Sequence, residues 1–354
     1  MENIKSGYKP LFLGIDLGTS RTTVMSSRGS KEQVRSVVGY PKDIIGVKLL
    51  DRTSVVGEEA ISKRSYLNLF FPLQDGVLKE ASDKDSEAAH ELIRHAVATA
   101  NPQPDEQVCG IVGVPARASI SNKNQLLRIT NELMSYSMVV SEPFMVAYGL
   151  DRLTNAIIID IGAGTTDICA MKGTIPNSDD QITLLKAGNH VDQFLANAIT
   201  ESYPNVQMTS ILAQKIKDRY GFVGDFFHRD KGQSSQEVIV QLRAGGKPQA
   251  FNVSRELRAA CESIVPGIIE SVQELITTFD PDDQEEALGN IILAGGGSRM
   301  LGLDAMIAQG LAEYGDISIV RVADPVFSGC AGALKMATEL PLEYWNQVGD
   351  VIKK

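Results

Sequence analysis

Gly14-Ile15-Asp16-Leu17-Gly18-Thr19-Ser20-Arg21-Thr22-Thr23-Val24, near the start of the chain, returns in altered form as Ile158-Ile159-Asp160-Ile161-Gly162-Ala163-Gly164-Thr165-Thr166-Asp167-Ile168. In both copies an apolar, β-branched run leads to an aspartate, and glycine and hydroxyl residues follow. This is the pattern of a strand running into a tight turn whose backbone N–H groups can face an anion. The repetition predicts two similar half-molecules facing each other. A phosphate chain held by both turns, with a metal ion near the paired aspartates, is the reading that follows.

Outward from these copies, strand-like and helix-like segments alternate, as in an α/β protein. Leu11–Ile15 and Arg21–Met25 flank the first turn as a hairpin, and Gln33–Val38 and Ser54–Val56 read as further strands. Ser86–Ala100 has helical spacing, stopped by Asn101-Pro102-Gln103-Pro104. Val108–Val114 is a buried strand, Asn122–Tyr136 a helix and Met138–Val140 a short strand. The second half repeats the plan. Ala156–Asp160 and Thr166–Met171 form a hairpin, and Asp192–Ser202 and Thr209–Arg219 are helices. Val238–Leu242 is a strand within the glycine- and charge-rich segment Phe222–Lys247. A long helix is expected over Ser254–Phe279, where Pro266 either kinks it or falls near a helix start. Asn290–Ala294 is a strand feeding a glycine run, and Leu301–Tyr314 is a helix. The division between halves is expected near Asp151–Asn155.

With 354 residues the chain can form two core-bearing lobes, and 43% hydrophobic and 22% charged residues describe an ordinary globular protein. The net charge of −10, with no Lys/Arg-rich block, argues against nucleic-acid binding. No stretch is long and apolar enough to insert directly into a membrane, and Met1–Pro10 lacks a signal-peptide core, so a cytoplasmic location is expected. Cys109, Cys169, Cys261 and Cys330 are scattered, which fits idle thiols in a reducing compartment. His90, His95, His190 and His228 show no metal-ligand spacing.

Asp16, Gly18, Thr19 and Ser20 are the first site candidates. Gly18 lets backbone approach a phosphate, the hydroxyls add donors, and Asp16 can hold a hydrated Mg²⁺. Arg21 adds positive charge. Gly162, Gly164 and Thr165 after Asp160 form the stronger motif, because a plain hairpin needs fewer special residues. Asp167 reads either as an exposed polar residue of the return strand or as one with a functional role. Neither turn is a GxxxxGK P-loop, and neither opens directly into a helix as a dinucleotide fingerprint does. Gly295, Gly296, Gly297 and Ser298 follow a buried strand and suit a ribose or base lying on bare backbone. Ser141-Glu142-Pro143 starts a helix, and Glu142 at its positive end can orient a water for attack on a terminal phosphate. Lys217 and Asp218 lie on the Thr209–Arg219 helix, where charged pairs are ordinarily solvated.

The order DxGT, SEP, DxGxGTTD and AGGGS resembles the actin–Hsp70–sugar kinase superfamily, and within it the bacterial actins of the MamK (magnetosome filament) family. The likeness runs through Ser36–Asp43, Pro72–Leu78, Gly113–Ser119, Val140–Val146, Ile159–Cys169 and Ala294–Arg299. It implies an α/β, actin-like (ribonuclease H-like) two-lobed ATPase fold clasping Mg–ATP. Residues 1–154 form lobe I, with a smaller subdomain around 34–75. Residues 155–354 form lobe II, with a core of 155–190 and 254–340 and a smaller subdomain around 191–253. By resemblance Asp16, Gly18, Thr19 and Ser20 form the first phosphate loop, and Asp160, Gly162, Gly164 and Thr165 the second. Asp16 and Asp160 serve the metal through water. Glu142 matches the water-positioning catalytic acid, with Asp160 beside it in catalysis. Lys217 and Asp218 match a segment contacting adenosine, as do Gly295–Ser298. Arg21 departs from the small or neutral residue of the family. Asp192, after Gly188, matches a family position with no role assigned.

The resemblance further implies a slow ATPase that polymerises with itself into cytoskeletal filaments and positions magnetosomes, with magnetosome-associated proteins as partners. A sugar or metabolite kinase and a plasmid-segregating actin are the alternatives within the superfamily. A chaperone would need a substrate-binding extension, which is not expected here.

Overall fold

The structure, a computed structural model, describes residues 9–79, 82–224 and 237–345. The chain divides into two compact units, Met1–Arg152 with Val326–Lys354, and Leu153–Pro325. Around the division Asp151 (φ 56°) and Asn155 (φ 42°) turn the backbone left-handed, a conformation that Asp and Asn tolerate better than most residues.

The first unit opens with β1 (Leu11–Leu17), β2 (Arg21–Ser26) and β3 (Lys31–Arg35), an antiparallel meander in which Asp16 pairs with Thr23. A small three-stranded sheet follows, built from β4 (Val38–Pro41), β5 (Val55–Val56) and β6 (Leu67–Phe70), with helices α1 (Ile44–Leu50) and α2 (Glu58–Ser62). It has its own core of Val37, Leu50, Val55, Ala60 and Leu67. β7 (Leu73–Gln74) and β8 (Val77–Leu78) flank Asp75 and Gly76, both at positive φ, as a tight two-residue hairpin demands.

Helix α3 (Asp83–Thr99) is capped by Ser82, whose hydroxyl accepts from the Asp85 N–H at 3.2 Å. It buries Ala88, Ala89, Leu92, Ile93, Ala96 and Val97, the face that the spacing predicts. Then come β9 (Val108–Val114), α4 (Ile120–Leu133), β10 (Tyr136–Ser141) and α5 (Glu142–Gly149). All seven residues of β9 are buried, as in a strand covered on both faces. The main sheet has the order β10-β9-β1-β2-β3, with β10, β9 and β1 parallel.

The second unit repeats this wiring. β11 (Ala156–Ile161), β12 (Thr166–Met171) and β13 (Gln181–Leu184) form the antiparallel meander, with Asp160 opposite Asp167. Helices α6 (Gly188–Ser202) and α7 (Ser210–Tyr220) follow, then the hairpin β14 (Ile239–Ala244) and β15 (Lys247–Asn252). After α8 (Ser254–Glu262), α9 (Val265–Ile276) and α10 (Gln284–Leu288) come β16 (Ile291–Ala294), α11 (Leu303–Gly310) and β17 (Ile319–Arg321). The sheet order β13-β12-β11-β16-β17, with β11, β16 and β17 parallel, matches the first sheet strand for strand. The repetition read in the sequence is therefore a repetition of topology.

Several boundaries differ from expectation. The strand expected over Gln33–Val38 is split between β3 and β4, separated at Ser36–Val37. The helix expected to reach Tyr136 stops at Leu133, because Met134 turns extended (φ −130°, ψ 152°) and Tyr136 enters β10. The long helix over Ser254–Phe279 is two helices, and Pro266 sits in the first turn of α9, where its missing N–H costs nothing. The helix expected over Leu301–Tyr314 closes at Gly310 and passes into a short 3-10 turn over Ala312–Tyr314.

The largest difference lies at the end of the chain. The expectation kept 155–354 in one lobe, but Val326–Lys354 clusters with the first unit. Helix α12 (Ser328–Glu339) packs there at backbone distance. A Cβ at Gly14 of β1 would collide with the Cys330 carbonyl, and one at Gly149 of α5 would lie 2.9 Å from Gly332 Cα. Glycine on both sides makes this approach possible. Trp345 seals the region, fully buried beside Phe12 at 6.4 Å between ring centroids.

Candidate functional site

In the first unit the turn between β1 and β2 holds Gly18, Thr19 and Ser20, all half-buried. A Cβ at Gly18 would sit 2.6 Å from the Arg21 carbonyl oxygen, so only glycine closes this turn without strain. The turn is pinned from outside. The Ser36 hydroxyl donates to the Gly18 carbonyl at 2.7 Å, and the Ser36 N–H donates to the Ser20 carbonyl at 3.0 Å. The Gly76 N–H donates to the Thr19 hydroxyl at 2.7 Å, leaving that hydroxyl its own proton to donate. Arg21 is exposed at the start of β2.

Asp16 is the last residue but one of β1, just before the turn. Burial pushes its carboxyl up from 3.8 to about 6. Its Oδ2 faces Gly329 at the start of α12, where a Cβ would come within 2.9 Å. Its register partner on β9 is Gly113, and a Cβ there would lie 3.2 Å from Glu142 Cγ and collide with Met145 Cε. The absent side chain at Gly113 is what lets Glu142, the first residue of α5, lie over the strand that pairs with Asp16. The first unit thus gathers Asp16, the Gly18–Ser20 turn and Glu142 at one end of its sheet. The end of α5 that carries Glu142 is the positive one.

In the second unit Asp160 is buried near the end of β11. The following turn closes with the Gly162 N–H donating to the Thr165 carbonyl at 2.9 Å. Gly164 and Thr165 are buried. The glycine run after β16 packs against this strand: a Cβ at Gly295 (φ +74°) would collide with Asp160 Oδ1, and one at Gly297 with Ile161 Cγ2. Gly296 has open space around it. Ser298 is fully buried, and its hydroxyl donates to the Gly295 carbonyl at 2.8 Å, so it braces its own turn.

Helix α6 begins against the same turn. The Gly188 N–H donates to the Gly162 carbonyl at 3.1 Å and the Asn189 N–H to the Ala163 carbonyl at 2.7 Å. Lys217, placed by spacing on a solvated face, is nearly buried. Its ammonium pairs with Asp192 at 2.8 Å and donates to the Gly188 carbonyl at 3.0 Å. Burial raises the Asp192 carboxyl, and the Lys217 charge acts against that rise. Asp218 is exposed, 3.9 Å from the same ammonium. Asp167 is buried, not solvent-facing, and accepts from the Thr183 hydroxyl at 2.6 Å.

Among the described residues no group of three or more His, Cys, Asp or Glu side chains could by itself cage a metal ion. Asp16 and Asp160 are each single carboxylates beside glycine turns. Either carboxylate by itself fits Mg²⁺, which keeps several waters and takes one or two carboxylates together with substrate phosphates. No described helix is long and apolar enough to cross a membrane. His228 lies outside the described residues. Sequence reasoning missed Ser36, Gly76, Gly113 and Gly329 as parts of the site. Only Gly76 had a local signal, the Asp-Gly pair of a tight hairpin.

Against known proteins, the family model described as MreB/Mbl protein matches residues 10–342. The actin-like protein MamK of Paramagnetospirillum magneticum is 52% identical over 341 residues, covering 96% of this chain and 96% of the relative. A solved structure titled MamK double helical filament matches with a TM-score of 0.90 at 52% identity, over 94% of this chain and 100% of that one. A non-polymerising MamK mutant bound to AMPPNP matches with a TM-score of 0.72 at 51% identity, over 94% and 99%.

Proposed function

This chain belongs to the MreB/Mbl family of actin-like proteins, and we propose that it binds Mg–ATP, hydrolyses it slowly and polymerises with itself into cytoskeletal filaments. The observation that carries this reading is the repeated sheet and turn: each unit presents an aspartate at a strand end followed by a glycine turn. Relatives at 51–52% identity over nearly the whole chain, solved as a filament and with an ATP analogue, support it. They do not favour a sugar kinase or a plasmid-segregating actin.

In this reading the turns at Gly18–Ser20 and Gly162–Thr165 serve one triphosphate, and Gly295–Gly297 receive the nucleoside. Magnesium, when bound through Asp16 and Asp160 by way of water, would neutralise phosphate charge. Glu142 holds and orients the attacking water and accepts its proton. Thr19, fixed by Gly76, offers its hydroxyl proton to a phosphate oxygen. Asp218 and Arg21 stay at the margin of the site.

Helix α1 bears on assembly. Asp43 caps it, accepting from the Ile45 and Gly46 N–H groups at 2.9 Å. Gly46 and Leu50 turn inward, and Ile44, Ile45, Val47 and Leu49 are each more than half exposed. Such a patch is costly in water unless something covers it. We assign it to a second copy of the chain, in a heterologous contact that does not close and therefore propagates a strand. Filaments in the cytoplasm, organising magnetosomes through further proteins, complete the proposal. Titrating the purified protein with a fluorescent ATP analogue, with and without Mg²⁺, tests its first step: saturable binding is expected, and absence of any nucleotide binding would refute it.

A further inference from the structure

We propose that Lys217 is a positioning residue that sets the second phosphate turn through Asp192 and Gly188, and is not a ligand of adenosine. The inference rests on the nucleotide-binding reading above and departs from what the family resemblance implies for this residue.

The contacts form one continuous path within the second unit. From the turn, the Gly162 and Ala163 carbonyls accept the first N–H groups of α6. Those N–H groups would otherwise be free to bind an anion directly. The Gly188 carbonyl, in turn, accepts from the Lys217 ammonium at 3.0 Å, and the same ammonium pairs with Asp192, one turn further along α6, at 2.8 Å. A Cβ at Gly188 would meet Gly162 O, Lys217 Nζ and Ala163 Cα all at 3.1–3.2 Å, so helix, turn and ammonium leave no slack. The side chains of Lys217 and Asp192 are 10% and 5% exposed, which leaves the ammonium little access to a ligand.

Helix α7 is also fixed at its end. The Leu301 N–H donates to the Gly221 carbonyl at 3.0 Å and the Val223 N–H to the Leu301 carbonyl at 2.9 Å. These bonds join α7 to the chain just beyond the Gly295–Ser298 run. One helix therefore reaches the phosphate turn through the Lys217 side chain and the glycine run through its own backbone. Removing the Lys217 charge frees the first connection and leaves the second in place. The consequence is specific: the phosphate part of nucleotide recognition loosens, and the nucleoside part does not.

The test uses the full chain in the forms K217M, D192N and K217M/D192N, with ATP and adenosine as probes. Removing one partner of a buried pair leaves an unpaired charge, whereas removing both does not, so the double variant retains a fold even where a single variant does not. Thermal melts check this. With wild type binding ATP as control, ATP affinity of the double variant falls about tenfold, within the usual range of site-to-site coupling, and adenosine affinity stays unchanged. D192N, which alters no residue of the glycine run, gives the same pattern. Equal losses for ATP and adenosine would make Lys217 a nucleoside ligand and overturn the inference, as would unchanged ATP affinity. Failure of wild type itself to bind ATP would refute the underlying reading.

Discussion

Asp16 Oδ2 lies against Gly329, so the carboxylate near the end of the first strand of the chain rests on the start of α12. No local pattern links these residues, yet the approach is close enough that a methyl group at Gly329 would come within 2.9 Å of the oxygen. Gly329→Ala should therefore displace Asp16. We expect a modest loss of stability, of the order of 1–3 kcal/mol for an overpacked contact, and a larger loss of Mg–ATP affinity. Calorimetry alongside nucleotide titration checks this; unaltered ATP affinity would mean that Asp16 tolerates the displacement.

Asp16 also predicts a pH dependence. Its folded-state pKa of about 6 lies above the ordinary 3.8. Below about pH 4 it is protonated folded or unfolded. As pH rises towards 6 the unfolded chain releases the proton first, so stability is lost across that window and stays lost above it. Asp16→Asn removes the penalty. The nucleotide-free variant should melt higher than wild type at pH 7.5, with the gap closing towards pH 4. Added Mg–ATP should reverse the order, because only wild type gains from it. A variant that melts lower than wild type at neutral pH without nucleotide would argue against a strained Asp16.

Glycines 295 and 296 separate structural from ligand roles. Gly295→Ala must overcome positive φ and a collision with Asp160, and should cost about 1–3 kcal/mol of stability together with nucleotide binding. Gly296 has no neighbour within 4 Å of a built Cβ. Gly296→Ala should melt like wild type while binding ATP more weakly. Full ATP affinity in Gly296→Ala would remove this run from the nucleotide site.

Glu142 lies over Gly113 at the start of α5. Glu142→Ala should keep ATP binding and assembly but slow phosphate release by about a hundredfold, the usual scale of general-base catalysis, and so give persistent filaments. A phosphate-release assay paired with sedimentation reads both effects, and unchanged release would exclude Glu142 from the chemistry.

The exposed face of α1 predicts assembly mutants. Val47→Glu and Leu49→Glu place charge where the chain exposes apolar surface and touch nothing in either glycine turn. Each should bind ATP as wild type does and fail to pellet as polymer. Normal polymer from the double substitution would move the self-contact elsewhere.

What the sequence made legible was local chemistry. The aspartate, glycine and threonine pattern of both turns is written in consecutive residues, and the matching sheets confirm that the two copies are equivalent in topology. The α3 face and the buried β9 followed from periodicity and unbroken apolarity. The return of α12 to the first unit was hidden, because its signal is a set of small residues, Gly329 and Gly332, whose partners Asp16 and Gly149 are far away in sequence. The surroundings of Lys217 were hidden for a related reason. A lysine beside an aspartate on a helix looks solvated, and only tertiary packing brings Asp192 and the Gly188 carbonyl to it. The end of α4 was misplaced because Tyr136, compatible with a helix, is claimed by the parallel sheet.

In the function proposed for this chain, nucleotide held by both turns drives its assembly. High-speed sedimentation of the purified protein with Mg–ATP, with ATP and chelator, and without nucleotide tests it most directly. Polymer is expected in the pellet with Mg–ATP, and soluble protein in the other two conditions. Protein that stays soluble in all three, or pellets equally in all three, would contradict it.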